Sequence, residues 1–192
     1  MLINIDKKNI RLISAIALFA GKKDIRYYLN GVHFELLNGT LRIVATNGHI
    51  AATAVLMRNI DGANFEATLD NEHIVTLCKN KNGIALEIVP GETGKTVFSF
   101  CSTRAIAIDG KYPDWRRVLS ESNSPEAIGY YDASLLATIA KAAIVSGADR
   151  NGYFSISQRG TNAAPFYTGD ISGVVMPVSS PKFDNTAFLR NL

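Results

Sequence analysis

The sequence predicts an α+β fold of repeated units, each a helix followed by an antiparallel three-stranded meander, amounting to about one and a half domains. Three observations carry this reading. Apolar stretches of helical period begin at Asp6, Asp70 and Asp132, spaced 64 and 62 residues apart, and near-equal spacing is the signature of an internal repeat. The first is followed by strand-like runs at 26–37, 40–46 and 49–57, divided by Asn38-Gly39 and Asn47-Gly48, both hairpin signals. A helix and a meander cannot bury each other's apolar faces alone, so two units pair as a domain and the third is left over.

In the first helix, spanning 6–21, Ile10, Leu12, Ile13, Ile16, Ala17, Phe19 and Ala20 fill one arc. Lys7, Arg11 and Lys22 gather opposite, with Lys8 beside them. The helix dipole disfavours cations in first turns, so an external anion is one explanation of Lys7, Lys8 and Arg11, and an ordinary solvated face is the other. FEATL leads as a strand into the second helix, with Ile74, Val75, Leu77 and Cys78 apolar, Lys79 and Lys81 polar, and a stop at Gly83. IALEIVP, KTVFSF and TRAIAID follow as strands. The third helix starts behind Asp132 and is expected to bury Leu135, Leu136, Ile139, Ala143 and Ile144 before Gly147, leaving Lys141 outward. GYFSISQ and ISGVVMPV supply strands, with a shorter one near 164–168. SESNSPE is polar and contains proline, so the expected division is a complete domain over 1–119, a linker over 120–127, a half domain over 128–180 and a tail over 181–192.

The chain has 192 residues, 47% hydrophobic, enough for a sizeable core. No stretch approaches the roughly 20 apolar residues of a membrane span, and the N-terminus lacks an export signal. Cys78 and Cys101 stand singly in apolar segments, which suits buried thiols in a reducing cytoplasm. His33, His49 and His73 show neither metal spacing nor a nucleophile with its base, so no enzyme, cofactor or metal is indicated. The net charge of +3, with a pI near 8.9, is modest. Its placement on every helix nonetheless favours sequence-independent phosphate contact, since no zinc pattern, glycine-rich loop or aromatic stripe accompanies it.

LRIVATNGHIAATA, residues 41–54, sets a polar knot between two apolar runs. Asn47-Gly48 reads as a type I′ turn, with positive φ at both residues. That leaves His49 without a role.

KDIRYYLNGVHFELLNGTLRIVATNGHIAATA (23–54) and DGKYPDWRRVL (109–119) resemble the middle domain of the bacterial DNA polymerase III beta subunit, the sliding-clamp family. The resemblance runs over about 3–120, continues over 128–147 and returns in GVVMPV (173–178). It implies the DNA-clamp fold, in which two three-domain chains close a ring around duplex DNA with helices lining the hole. The implied DNA-facing residues are Lys7, Lys8, Arg11, Lys22, Lys79, Lys81 and Lys141. The family also binds short motifs of polymerases, clamp loaders and repair proteins in a pocket. Carried over by motif, that pocket comprises Leu29, Thr46, Gly48, His49, Ile50, Ala51, Pro113, Arg117, Val118, Val174, Met176, Pro177 and Val178. Gly48 would then admit a ligand backbone, and Met176 would form an adaptable wall.

The chain departs from the family's usual Asp-Gly-His-Arg-Leu at Asn47-Gly48-His49-Ile50-Ala51, and has Ser179 where a basic residue is usual. The resemblance implies a non-catalytic replication accessory of processivity-factor type, a homo-oligomer with DNA and polymerase partners. The alternative is a decoy that captures clamp partners, or a full-length clamp, without encircling DNA. The tail, with Phe188-Leu189, either folds over the pocket as an internal ligand or frays.

Overall fold

The computed structural model describes residues 1–91, 95–119 and 129–179; the expected linker and tail lie outside the described residues. The first unit comprises β1 (Leu2–Ile5), α1 (Lys7–Ile16), β2 (Gly31–Leu37), β3 (Thr40–Thr46) and β4 (Ile50–Met57). The second comprises β5 (Phe65–Asp70), α2 (Asn71–Cys78), β6 (Ile84–Pro90), β7 (Thr96–Phe100) and β8 (Thr103–Ile106). A short α3 (Arg116–Leu119) follows, then a third unit of α4 (Ala133–Ser146), β9 (Ser155–Ile156), β10 (Ala164–Thr168) and β11 (Ile171–Val175).

The three aspartates that mark the repeat are all N-caps. Asp6 accepts from Asn9 N at 2.7 Å, Asp70 from His73 N at 3.0 Å and Asp132 from Ser134 N at 2.7 Å, each satisfying a donor that the first helical turn leaves free. At its other end, α4 stops at Gly147, in the left-handed conformation.

Several elements are shorter than expected. The first helix ends at Ile16 and tightens into a 3-10 turn over Ala17–Phe19, which still buries Phe19; Lys22 therefore lies beyond the helix. The second ends at Cys78, and the backbone turn formed by Asn80 and Gly83 places Lys81 off it. The strand expected over 26–37 begins at Gly31, because 27–29 form a 3-10 turn closed by Asn30, whose side chain accepts from Asp24 N and donates to Asp24 O. On α4, Ile139 and Ala143 are buried and Leu135 and Leu136 half-buried, but Ile144 is 51% exposed. Cys101 is also exposed, since it occupies the β7–β8 hairpin turn with positive φ, while Cys78 is half-buried.

The first two units exchange strands: β1 pairs with β6, and β5 with β2. This gives a four-stranded sheet, β1-β6-β7-β8, and a seven-stranded sheet, β5-β2-β3-β4-β11-β10-β9. The third unit thus extends the first unit's sheet, with Ile50 opposite Val175 and Ala54 opposite Ile171. Gly173 makes that approach possible, because a Cβ there would lie 2.2 Å from the Ala51 carbonyl oxygen. One core runs through all three units. Phe34 meets Phe98 across the first two at 5.4 Å between ring centroids, and Phe19 stacks on Phe166 of the third at 5.7 Å.

Candidate functional site

The polar knot of the sequence is an Asx turn. Asn47 Oδ1 accepts from the backbone N–H groups of His49 and Ile50, while Thr46 Oγ1 donates to Ile50 O and accepts from Gly48 N. Only Gly48 has positive φ, +90°, so the turn is not the type I′ expected; that geometry occurs instead at Asn38-Gly39, where both φ values are positive. The asparagine side chain replaces the backbone strain that a type I′ turn would impose on Asn47.

This turn forms one wall of a cavity of about 220 Å³. Leu29, Thr46, Gly48, His49, Ile50, Ala51, Pro113, Val118 and Met176 line it, together with Arg26, Tyr28, Asp114 and Trp115. Two placements bring these distant segments together. β11 pairs with β4, and the ladder runs one step further as Met176 N donates to His49 O at 2.8 Å, setting Met176 at the cavity. Tyr112 and Trp115 turn inward on the other side, packing with Leu29 and Val44 in a small cluster beneath the cavity. Between and beyond them, Pro113, Asp114 and Val118 face the cavity.

The 112–118 segment is fastened to β2. Arg116 Nη1 donates to Glu35 Oε1 at 2.8 Å in a bidentate pair, and its guanidinium lies 4.2 Å over the Trp115 ring. The Arg116 hydrogen bond holds the Glu35 carboxyl below its usual range. Tyr112 stacks on His33 at 4.2 Å, and burial pushes its phenol up. His33 is buried and its Nδ1 lies 3.0 Å from Thr68 Oγ1; burial lowers its pKa from 6.5 to about 4. At the rim, Arg26 pairs with Asp24 and donates to Asn47 O at 3.1 Å. The hydrogen bond from Arg26 lowers the Asp24 carboxyl to about 2.

Four residues named from the sequence are outside the lining. Val174 is buried in the ladder opposite Ala51, Pro177 follows Met176, Val178 bridges to Tyr130, and Arg117 is exposed on α3. Conversely, Asp114 and Trp115 were within reach of the 109–119 motif, and Arg26 and Tyr28 of RYYLNG, residues 26–31.

The basic residues Lys7, Lys8, Arg11, Lys22, Lys79, Lys81 and Lys141 are all exposed. Lys7, Lys8 and Arg11 border a groove of about 590 Å³ with Ser146, Gly147 and Asp170, where α1 meets the end of α4. Lys8 is already paired there, 2.7 Å from Asp170, which raises its pKa.

The family profile of the DNA polymerase III beta subunit, central domain, matches residues 4–114, more than half of the chain. The chain belongs to the DNA polymerase III beta subunit family. It is 33% identical over 117 residues to the beta sliding clamp of Vibrio cholerae, covering 59% of this chain and 32% of that protein. To that of Escherichia coli K12 it is 30% identical over 140 residues, covering 71% and 38%. The chain thus spans about a third of the length of the curated relatives it matches. Among solved structures, the DNA polymerase III subunit beta from Pseudomonas aeruginosa superposes with a TM-score of 0.70 at 20% identity, over 94% of this chain and 67% of that one. The beta chain from Streptococcus pneumoniae gives 0.67 at 14%, over 94% and 65%. The fold is therefore the DNA-clamp fold.

No helix among the described residues is long and apolar enough to cross a membrane, and no group of three His, Cys, Asp or Glu residues among them could hold a metal ion.

Proposed function

We propose that the protein is a sliding-clamp-type DNA replication accessory without catalytic activity of its own, in the cytoplasm. Residues 1–119 act as a clamp domain and 128–180 as a half domain joined to it. The exposed basic residues on and beside the helices hold duplex DNA without reading its sequence, because Lys and Arg contacts to phosphate carry no base information. The pocket receives a short apolar motif from a polymerase or another replication protein.

The observation that carries this reading is the cavity itself. Segments at 26–29, 46–51, 113–118 and Met176 meet in one concave, mostly apolar site with a few polar groups at its rim, the character of a peptide-anchoring pocket. Met176 and Val118 offer apolar walls, whereas the space beside Gly48, expected from the sequence to admit a ligand backbone, is taken by the Arg26 guanidinium, 2.9 Å from where a Cβ would stand.

A fluorescent clamp-binding peptide with apolar anchors, titrated against the protein, tests it. Micromolar affinity is expected, about −8 kcal/mol. Met176→Ala removes part of the wall and should weaken binding about five- to thirty-fold, corresponding to roughly 1–2 kcal/mol of lost apolar burial. Equal affinity of the two proteins, or no binding by wild type, would remove the pocket from the proposal. Failure to bind DNA with the peptide site intact would leave the decoy reading.

A further inference from the structure

A second cavity, of about 200 Å³, opens where β5 meets the chain leaving β8. His33, Glu66, Thr68, Lys95, Asp109 and Tyr112 are among the residues that line it, so it is polar where the peptide cavity is apolar. Thr68 O accepts from Ile108 N at 2.8 Å and closes one end. The chain then turns away at Gly110, and β5 is the last strand of its sheet, so among the described residues no strand lies beyond Glu66 on that side.

Three carboxylates stand in and beside this cavity, and two of them have cations. Asp109 pairs with Lys95 at 3.0 Å, and the hydrogen bond from Lys95 lowers its pKa. Glu35 is held by Arg116 and has Arg42 opposite it on β3. Glu66 stands directly across the β2–β5 ladder from Glu35, an arrangement of like charges that destabilises a sheet. Among the described residues no lysine or arginine pairs with it. Its side chain is 64% exposed at the cavity mouth, within reach of a ligand.

His33 lies deeper, 3% exposed, with Tyr112 stacked on it at 4.2 Å and Thr68 Oγ1 3.0 Å from its Nδ1. Its Nε2 is left without a hydrogen bond, because Glu66 Oε2 is 3.9 Å away, too far for one. Buried ring nitrogens ordinarily have a partner. Burial keeps the imidazole neutral at pH 7. In the tautomer that donates Nδ1–H to Thr68, Nε2 presents a lone pair. Two acceptors thus face one gap, and a single nitrogen donating to both at about 2.9 Å spans it. One imidazole and one free carboxylate fall short of a metal's donor set.

We propose that this cavity binds an alkylammonium group, which donates to Glu66 and to His33 Nε2 and whose charge offsets the repulsion between Glu66 and Glu35. An ammonium suits the gap because it carries three donors on one compact charge, whereas the planar fork of a guanidinium matches a carboxylate alone. The volume admits a short amine or the end of a lysine side chain. The inference rests on neither the DNA nor the peptide reading, so its test uses neither ligand.

The full chain, labelled with 15N-histidine and titrated at pH 7 with propylammonium chloride, reads the site directly. The His33 ring nitrogens should shift saturably, with half-saturation on the order of 1 mM, toward the tautomer with the proton on Nδ1. Glu66→Gln keeps the shape without the charge and should weaken binding about ten-fold or more, with unchanged circular dichroism. Tetramethylammonium has the same charge but no N–H and should leave His33 unmoved. Nα-acetyl-lysine amide distinguishes the sources. If it binds as well as propylammonium the site takes a protein lysine, and if propylammonium alone binds it takes a free amine; both support the proposal. No saturable shift, an equal response to tetramethylammonium or potassium chloride, or undiminished binding by Glu66→Gln overturns it.

Discussion

His33 shows how one buried side chain ties the candidate site to pH. It lies under Tyr112, and burial holds its pKa near 4 against 6.5 in the unfolded chain. Above pH 6.5 the imidazole is neutral in both states and imposes no penalty. As pH falls from 6.5 to 4, the unfolded chain takes up a proton that the folded one refuses, so stability is lost across that window. The loss is about 1.4 kcal/mol per pH unit, or about 3 kcal/mol in all. Urea denaturation at pH 7 and pH 4 should show wild type losing about that much more than His33→Gln, which does not titrate; equal losses would contradict it. The His33–Tyr112 stack was not legible in the sequence, because it joins positions 79 residues apart and a lone histidine on a strand carries no signal of its partner. His49 was legible only as part of a motif; its work in the structure is done by its backbone, whose carbonyl accepts from Met176.

Among the elements, the aspartates were the most reliable marks. A cap is a local interaction, so residues 6, 70 and 132 could be read without knowing what packs on the helices. Replacing Asp132 by Ala removes the acceptor for Ser134 N and should cost about 1 kcal/mol, measured as a lowered urea midpoint at unchanged m-value. Helix ends were less legible. The 3-10 turn over 17–19 answers to the packing of Phe19 against Phe166, a tertiary contact. Phe166→Ala opens a cavity where the third unit meets the first and should cost about 3–5 kcal/mol. A loss no larger than that of the cap variant would mean the third unit contributes little to the common core. The Asn47-Gly48 turn illustrates a different limit. Both hairpin types begin with the same dipeptide, and the choice depends on whether the asparagine side chain finds the His49 and Ile50 donors.

At the scale of the whole molecule, charge and topology act together. If about five phosphate contacts form, log affinity for duplex DNA should fall against log salt with a slope near −4 to −5, from about 0.9 counterion released per contact. Lys8 is partly withheld by its pairing with Asp170. Asp170→Asn should therefore tighten DNA binding and steepen the salt slope by up to about one. Fluorescence anisotropy with a labelled duplex at several salt concentrations reads both quantities; an unchanged slope would place Lys8 away from the phosphates.

The sequence by itself determined the repeat, the helix starts, most of the strands and the family, because capping, alternation and turn chemistry act over a few residues. It also named most of the pocket, since the motifs at 46–51 and 113–118 survive as contiguous strings. The resemblance already placed Met176 in one pocket with His49; tertiary structure alone decided that β11 does this by pairing with β4, that Arg26 reaches over Gly48, and that one core runs through all three units. Those contacts join residues far apart in the chain, and their geometry comes from strand pairing and the burial of shared surface, which no local pattern records.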